Sequence, residues 1–258
     1  MRFAQVQGAS RLRHLAQEAP LRALFPAVEP DEAPEAAIVN TGGGVVGGDH
    51  YALDIEVEAG AALTITTPAA EKIYRSAGES AQIATRLRCA EGARLEWLPQ
   101  ETILFDSARL RRRIDIDLAP TSHFLGVEML LFGRRASGEW LNAGALRDCW
   151  SLRIGGRLVW ADAIGLEGDL AAHRAAPFGV GDAAGYATIV VVGPNVAELL
   201  ELARRCAEGA ASLVNGVLLL RFLESDAARL RRMVVEALSA LRPLATGGRA
   251  GAPRLWMN

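Results

Sequence analysis

The chain has 258 residues, a formal net charge of −2 and a hydrophobic content of 50%. This length can bury a large core, either as one big β domain or as two modest ones. Because acidic and basic residues are interspersed and nearly balanced, the sequence gives no sign of the basic face that nucleic-acid binding requires.

Short segments in which apolar and polar residues alternate dominate the first two-thirds of the sequence. Leu53–Val57 and Ile114–Leu118 are clear examples, each with acidic residues between the apolar ones. A period of two predicts strands with one buried and one solvated face, and turn signals such as Ala59-Gly60 separate them. We therefore predict a mostly β body over about residues 1–180, as a sandwich, barrel or β-solenoid. No fixed sequence repeat selects the solenoid.

The pattern changes after about Gly181. We predict two apolar strands and two helices here, in the order strand Tyr186–Val192, helix Val196–Ala207, strand Val214–Phe222 and helix Asp226–Leu241. Pro243 is expected to end the last helix, because proline has no amide hydrogen to donate. No linker separates this segment, about residues 185–243, from the β body, so we predict a single domain over residues 1–258.

The densest basic cluster is the run Arg109–Arg113, which Leu110 interrupts. An alternating strand follows it directly, so we interpret the run as a solvated strand end. A phosphate-binding or protein-docking patch is the alternative.

A glycine-rich stretch covers residues 40–49. Gly42, Gly44 and Gly47 have the spacing of a dinucleotide-binding fingerprint. That site needs a helix directly after the glycines to receive the pyrophosphate, whereas an alternating strand follows here. The stretch also lacks the lysine of a phosphate-binding loop. We interpret it as a crossover in which backbone lies close to backbone or takes positive φ, ending at the carboxylate of Asp49.

Two further acids lie among apolar residues. Glu101 shares a predicted strand face with apolar side chains, and Glu128 lies within the run Leu125–Phe132. A carboxylate in such surroundings must be paired, hydrogen-bonded or functional. For Glu101 we favour a salt bridge to an arginine such as Arg75. Glu128 is either a buried ion pair or part of the lining of a wet cavity.

The sequence carries no recognisable catalytic constellation or metal motif. It has no Gly-x-Ser-x-Gly, His-x-His, His-Glu-x-x-His or Cys-x-x-Cys segment, so a tight, preformed metal site is not expected. Of the four isolated histidines, His50 stays of interest because it adjoins Asp49. The alternative from another class is a β-rich carbohydrate-active enzyme that uses Glu101, Asp106 or Glu128 as paired carboxylates, although aromatic residues make up only 6% of the chain.

Cysteine usage and hydropathy indicate the compartment. Cys89, Cys149 and Cys206 are odd in number and widely spaced, which favours free thiols in a reducing cytoplasm. The N-terminus has no apolar stretch of a signal peptide, and the longest apolar runs are too short to span a bilayer. We therefore expect a cytoplasmic protein without membrane contact.

Four multi-residue blocks occur in one order along the chain: Gly43–Asp49, Thr66–Ser76, Glu96–Glu101 and Pro253–Trp256. In order and spacing they resemble the urease accessory protein UreD (UreH) family from about residue 36 to the C-terminus. Several blocks in one order are far more specific than a single glycine motif.

The resemblance implies an elongated, β-helix-like body with helices near the C-terminus and no catalytic turnover. It also implies binding to UreF and to the GTPase UreG, and engagement of the urease apoprotein in the cytoplasm. A passage through the body would conduct nickel, with Asp49, Glu128 and Asp162 as transient ligands and no tightly bound cofactor. At the third position the family usually has a Glu-Arg pair, where this chain has Asp162-Ala163. Separated oxygen ligands suit an ion in transit, because a histidine or cysteine site would trap it.

Overall fold

The structure is a computed structural model that describes residues 1–177 and 179–257, so residues 178 and 258 of the predicted domain lie outside it. Strands are the predominant element of the described residues, at 48%, and helices, at 17%, are concentrated near the C-terminus. In chain order the strands are β1 (Arg2–Val6), β2 (Ala9–His14), β3 (Leu21–Leu24), β4 (Glu35–Asn40), β5 (His50–Val57), β6 (Ala62–Thr66), β7 (Glu71–Ile73), β8 (Ala81–Cys89), β9 (Arg94–Leu98), β10 (Thr102–Leu104), β11 (Arg109–Leu118), β12 (His123–Phe132), β13 (Ala143–Ile154), β14 (Arg157–Asp169), β15 (Gly185–Val192), β16 (Ala211–Val214) and β17 (Val217–Glu224). The α-helices are α1 (Leu170–Ala175), α2 (Leu200–Cys206) and α3 (Ala227–Ala245).

The β body is a stack of coils. Strands β5, β8, β11 and β13 lie parallel in one sheet, sheet A. Strands β4, β6, β9 and β12 lie parallel in a second sheet, sheet B. The chain passes repeatedly from sheet A to sheet B, and the short parallel strands β7 and β10 lie between sheet B and the return to sheet A. This solenoid-like arrangement confirms the predicted mostly β, β-helix-like fold.

Register explains both the core and the absence of a sequence repeat. Ile55 is in register with Leu87, Leu87 with Ile116, and Ile116 with Leu152, so equivalent positions of successive coils form one buried column. A matching column on sheet B contains Leu63, Leu95 and Phe124. The coils between these register partners differ in length, so the column leaves no fixed period in the sequence.

Antiparallel strands complete both sheets. In sheet A, β14 pairs with β13 at one edge, and the β1–β2 hairpin lies at the other. In sheet B, β15, β17 and β16 continue outward from β12, while β3 pairs with β4 at the opposite edge.

Helix α3 covers the outer face of sheet B. Its N-terminus is capped by Asp226, whose carboxylate accepts a hydrogen bond from the Arg229 amide at 2.9 Å. Its buried face carries Leu230, Val234, Ala237, Leu238 and Leu241, which pack with Leu125, Val127, Met129, Ile189 and Leu220 of the sheet. The helix and the solenoid therefore share one apolar core.

Three details of the C-terminal segment differ from the sequence-based expectations. Pro243 does not end helix α3, which continues to Ala245. Proline removes one backbone hydrogen bond from the last turn, and the burial of Leu241 and Ala245 compensates for this loss. The single strand predicted for Val214–Phe222 is a hairpin of β16 and β17, turning at Asn215-Gly216, where both residues have positive φ. The short helix α1 was not predicted.

The cysteines and the helices agree with a protein that has free thiols and no membrane-spanning helix among the described residues. All three cysteines are free, and burial raises the pKa of the Cys89 thiol to about 12, which makes it a packing residue. Within residues 1–177 and 179–257, no helix combines the length and apolar character that crossing a membrane would require.

Candidate functional site

A charged cluster lies in the interior between the two sheets, centred on the guanidinium of Arg112. The side chain of Arg112 is only 10% exposed, and its Nη2 lies 2.7 Å from Oε1 of Glu128 on β12. The same nitrogen lies 2.6 Å from Oδ2 of Asp148 on β13, and Nε donates to Oδ1 of Asp148 at 3.1 Å. Nη1 donates to Oγ1 of Thr102 on β10 at 2.9 Å. One arginine therefore connects β10, β11, β12 and β13.

Strand register places this cluster. Tyr51, Ile83, Arg112 and Asp148 occupy equivalent positions on four neighbouring strands of sheet A, so they follow one another from coil to coil. Their side chains line the space between the sheets, next to the apolar column described above. Three of these four inward-facing residues are polar, and Ile83 interrupts the series. We call Tyr51, Arg112 and Asp148, with the acids beside them, the polar track.

The electrostatics of the cluster are unbalanced, with two acids for one guanidinium. The side chains of Glu128 and Asp148 are 5% and 4% exposed. Burial raises the pKa of Glu128 to about 8, against the opposing effect of Arg112. For Arg112, burial acts to lower the pKa, but the charges of Asp148 and Glu128 outweigh it and raise the pKa, so the guanidinium stays charged. Oε2 of Glu128 has no hydrogen-bond partner within the described part of the chain.

Two cavities adjoin Glu128. The first has a volume of about 80 Å³, enough for several water molecules, and is lined by Arg112, Glu128 and Thr102 together with Tyr51 and Glu71. The second, of about 10 Å³, can hold about one water molecule. The polar residues of its lining are Glu128, Asp148, Asp162, Tyr186 and Thr188. Glu128 therefore stands between the two cavities.

Asp49 is next to the first cavity but is not part of its lining. Its Oδ2 accepts hydrogen bonds from the amide of Val46 at 2.9 Å and from the hydroxyl of Tyr51 at 3.1 Å. Asp49 is half-buried and contacts the cavity through Tyr51, which lines it. Burial, followed by the hydrogen bond to Asp49, raises the pKa of Tyr51. Burial also raises the pKa of Glu71, which lies in the wall of the same cavity.

Asp162 lines the second cavity together with Glu128. Its Oδ2 is 2.8 Å from Nη1 of Arg221, and its side chain is partly exposed. Arg221 also donates to the hydroxyl of Tyr186, which accepts a second hydrogen bond from Thr188 at 2.6 Å. Each of the three acids proposed from the sequence thus has different hydrogen-bond or ion-pair partners. In the described residues, no group of three or more His, Cys, Asp or Glu side chains could hold a metal ion.

The interpretation of Arg109–Arg113 as a solvated strand end is wrong for Arg112. Arg111 and Arg113 are exposed, but Arg112 shares the inward phase of Leu110 and Ile114. Asp148, which sequence reasoning missed, lies in the same way between buried Leu146 and Trp150. Extending the alternation of each strand by one more position would have revealed both residues.

Glu101 is paired with an arginine, as predicted, but the partner is Arg231 of α3 and not Arg75. The same guanidinium donates to Oε1 of Gln100 at 3.1 Å and to the carbonyl of Trp256 at 2.7 Å. Glu101 therefore lies where α3 and the C-terminal residues pack on the solenoid. Arg75 is exposed and pairs through its backbone with Ala108.

The glycine stretch is a close crossover, as expected. The amide of Val45 donates to the carbonyl of Lys72 at 2.8 Å, and the amide of Tyr74 donates to that of Val45 at 2.9 Å. A Cβ atom on Gly44, whose φ is +154°, would lie 2.3 Å from the Tyr74 ring. Strand β5 follows the stretch, so no helix N-terminus is available for a pyrophosphate.

The last two sequence blocks meet beneath α3. Glu96 is buried and bound by Arg242 through two hydrogen bonds of 2.6 and 3.1 Å. The indole nitrogen of Trp256 donates to Oγ1 of Thr66 at 3.0 Å and to the carbonyl of Leu98 at 3.2 Å. These contacts fasten the C-terminus to the solenoid.

The acids considered for a carbohydrate-active enzyme do not converge. Glu101 is bound to α3, while Glu128 lies in the interior beside Arg112. Asp106 caps a loop by accepting hydrogen bonds from the amides of Asn142 at 2.7 Å and Ala143 at 3.1 Å. Glycoside hydrolysis requires two carboxyl groups that face one sugar site. None of the cavities found around the described residues is lined by two of these three acids.

These features define a β-solenoid protein with a charged cluster in its interior and a C-terminal segment fastened to the solenoid by ion pairs. Comparison with known families gives a narrower assignment. The family described as UreD urease accessory protein matches residues 1–257, so the match also includes the first 35 residues, where the resemblance of the sequence blocks is weak. The chain belongs to the UreD urease accessory protein family.

Individual relatives agree with this assignment. A urease accessory protein UreD of Rhodopseudomonas palustris (strain HaA2) is 44% identical over 98% of this chain and 90% of its own length. A UreD of Xanthobacter autotrophicus is 46% identical over 96% of this chain and 85% of its own. A UreD of Azorhizobium caulinodans is 41% identical over 97% and 92%. All three are named as accessory proteins of urease.

Proposed function

We propose that this urease accessory protein is a non-enzymatic scaffold that binds UreF and UreG and passes nickel towards the urease apoprotein along the polar track. The observation that carries the proposal is Glu128. Its side chain is nine-tenths buried or more, one of its oxygens is unpartnered in the described structure, and it lies between two cavities. A carboxylate is kept in such a costly position only for a pairing or a function, and pairing accounts for one oxygen.

The chemistry of the track suits an ion that must move on. Its acids are oxygen donors with different partners: Asp49 contacts Tyr51, Asp162 pairs with Arg221, and Glu128 pairs with Arg112. Nickel binds imidazole and thiolate more tightly than isolated carboxylates and water, so such a track would bind the ion weakly at each step. Nickel is cargo in this proposal, and no cofactor is bound tightly.

The chain is proposed to act as one UreD-like domain, residues 1–258, in the cytoplasm. The core shared by α3 and sheet B supports a single unit, because separating them would expose a continuous apolar face. The free thiols suit a reducing compartment. No nucleic acid or membrane is among the proposed partners.

The conduit is tested by reconstituting urease activation from the apoprotein, UreF, UreG, GTP and nickel. Glu128→Ala leaves Arg112 bound to Asp148 and Thr102, so we expect an intact complex but at least several-fold lower activation. Glu167→Ala is the matched control, because this glutamate on β14 is 79% exposed. Unchanged activation with Glu128→Ala would reject the conduit.

Partner binding is tested separately by co-expression and pulldown. A stable complex of the chain with UreF and UreG is expected for the wild type and for both variants. If no complex forms with the wild-type chain, the proposed partners are wrong, whatever the result for nickel.

A further inference from the structure

We propose that the guanidinium of Arg112 occupies a binding position for the transported ion between Glu128 and Asp148. The guanidinium and a divalent cation would occupy this position alternately. The inference rests on the proposed function and deepens it. It adds Asp148 and Thr102 to the residues that meet the ion, and it makes Arg112 the group that closes the track when no ion is present.

The geometry around one nitrogen supports an exchange. Nη2 of Arg112 lies 2.7 Å from a Glu128 oxygen and 2.6 Å from an Asp148 oxygen, and these come from different strands. Carboxylate oxygens bind divalent transition-type ions at about 2.0–2.2 Å, so an ion at this place needs each oxygen to approach by only about half an ångström. Thr102 adds a third oxygen nearby, bound at 2.9 Å by the other terminal nitrogen, Nη1. Water in the adjoining cavities would complete the coordination.

Charge also favours exchange. Once both acids are ionised, one guanidinium neutralises only one of them, whereas a divalent cation would neutralise both. The unpartnered Oε2 of Glu128 marks the incomplete pairing in the described residues. Binding of the cation would therefore release the proton that Glu128 holds below about pH 8, and the ion would balance the ionised pair, which the arginine alone does not.

A cavity next to Arg112 offers space for its side chain when the ion displaces it. Arg112 lines the 80 Å³ cavity, and Glu71 lines the same cavity. Burial raises the pKa of Glu71, and the charge of Arg112 is one of the smaller effects that oppose this rise. The two groups therefore already interact electrostatically. An ion between Glu128 and Asp148 would repel the guanidinium towards Glu71, which supplies a counter-charge there.

The test is nickel binding by the purified full-length chain, with Ni²⁺ alone as the probe. Arg112→Ala vacates the place, so we expect one Ni²⁺ bound at least tenfold more tightly than by the wild type, together with a nickel-dependent rise in Tm. Arg112→Ala/Asp148→Asn removes one ligand and should lose both effects. Arg112→Met has no charge but fills the place, so it should bind Ni²⁺ less tightly than Arg112→Ala.

Arg112→Ala leaves two buried acids unpaired and could fail to fold without metal. Arg112→Gln, which retains a hydrogen-bonding group, is therefore measured by the same criteria, and both variants are also produced with nickel in the growth medium. Nickel binding no tighter than wild type in both variants overturns the proposal. So does failure of both to fold with nickel, because the ion then cannot replace the guanidinium.

The two proposals fail in different ways. If Glu128→Ala lowers urease activation but the Arg112 variants gain no nickel, the conduit stands and the exchange is wrong. If Arg112→Ala gains nickel but Glu128→Ala activates urease normally, the acids can bind an ion but are not on its route.

Discussion

Replacing Arg242 with methionine removes the cation that balances Glu96 beneath α3. Both residues are buried, and the helix contributes Arg242 while β9 contributes Glu96. The guanidinium makes hydrogen bonds of 2.6 and 3.1 Å to the carboxylate, and Nη1 donates to the carbonyl of Gly251 at 2.6 Å. Methionine keeps much of the apolar stem, so the change tests mainly the charge.

The expected cost follows from what remains around Glu96. Only the hydroxyls of Thr64, at 2.8 Å, and Thr246, at 2.6 Å, would still donate to the carboxylate. Breaking a buried ion pair by removing one partner costs about 3–5 kcal/mol. The remaining hydroxyls offset part of that, so we expect a loss of about 3 kcal/mol. This is a large fraction of the roughly 5–15 kcal/mol that stabilises a typical protein.

The assay is urea unfolding of the full-length chain, with the double variant Glu96→Gln/Arg242→Met to complete a cycle. Removing both charges leaves no unpaired buried ion. The double variant should therefore be more stable than Arg242→Met alone by at least about 1 kcal/mol. Arg249→Met is the control, because Arg249 is 59% exposed and its contact with Glu32 is 3.5 Å long, which predicts a loss below about 1 kcal/mol. A loss below 1 kcal/mol for Arg242→Met, or no recovery in the double variant, would refute the reasoning.

Two further predictions concern Glu128 and the glycine crossover. Burial raises the pKa of Glu128 to about 8, so between its ordinary value and pH 8 the folded chain keeps a proton that the unfolded chain has lost. The free energy of unfolding should therefore fall as pH rises through this window, by on the order of a few kcal/mol. In urea unfolding, Glu128→Gln should lack this pH-dependent fall. If the wild type and the variant show parallel pH profiles, the prediction is wrong. Gly44→Ala should lower the free energy of unfolding by about 2 kcal/mol more than Gly43→Ala. The reason is that a Cβ atom at Gly44 would contact the Tyr74 ring, whereas a Cβ atom at Gly43 would meet open space. Equal shifts of the unfolding midpoint would show that the crossover tolerates a methyl group.

Much of the strand content could be predicted because each strand carries its own alternation. Leu53–Val57 and Ile114–Leu118 lie within β5 and β11, with their apolar residues facing inward. The choice of a solenoid came from the family resemblance. Coils of unequal length hide the register that joins Val57 to Cys89 and Leu118 to Ile154, and this register is a long-range property.

The site was predictable where a residue contrasts with its neighbours, and unpredictable where it resembles them. Glu128 is the one acid in a long apolar run, so it is conspicuous in the sequence. Arg112 is one of several arginines in a row, and only its phase on the strand shows that it faces inward. The partner of Glu101 is separated from it by 130 positions, and no local rule specifies such a pair.

Apart from Asp49, which ends the first sequence block and is also proposed to meet the ion, the residues that identify the family and the acids of the interior differ in their role. Glu96, Glu101 and Trp256 lie in conspicuous blocks, and their contacts fasten α3 and the C-terminus to the solenoid. Glu128 and Asp148 lie outside those blocks, as single acids on otherwise apolar or mixed strands. Substitutions in the blocks should therefore act first on the free energy of unfolding, whereas substitutions of the interior acids should act on nickel delivery at nearly unchanged assembly.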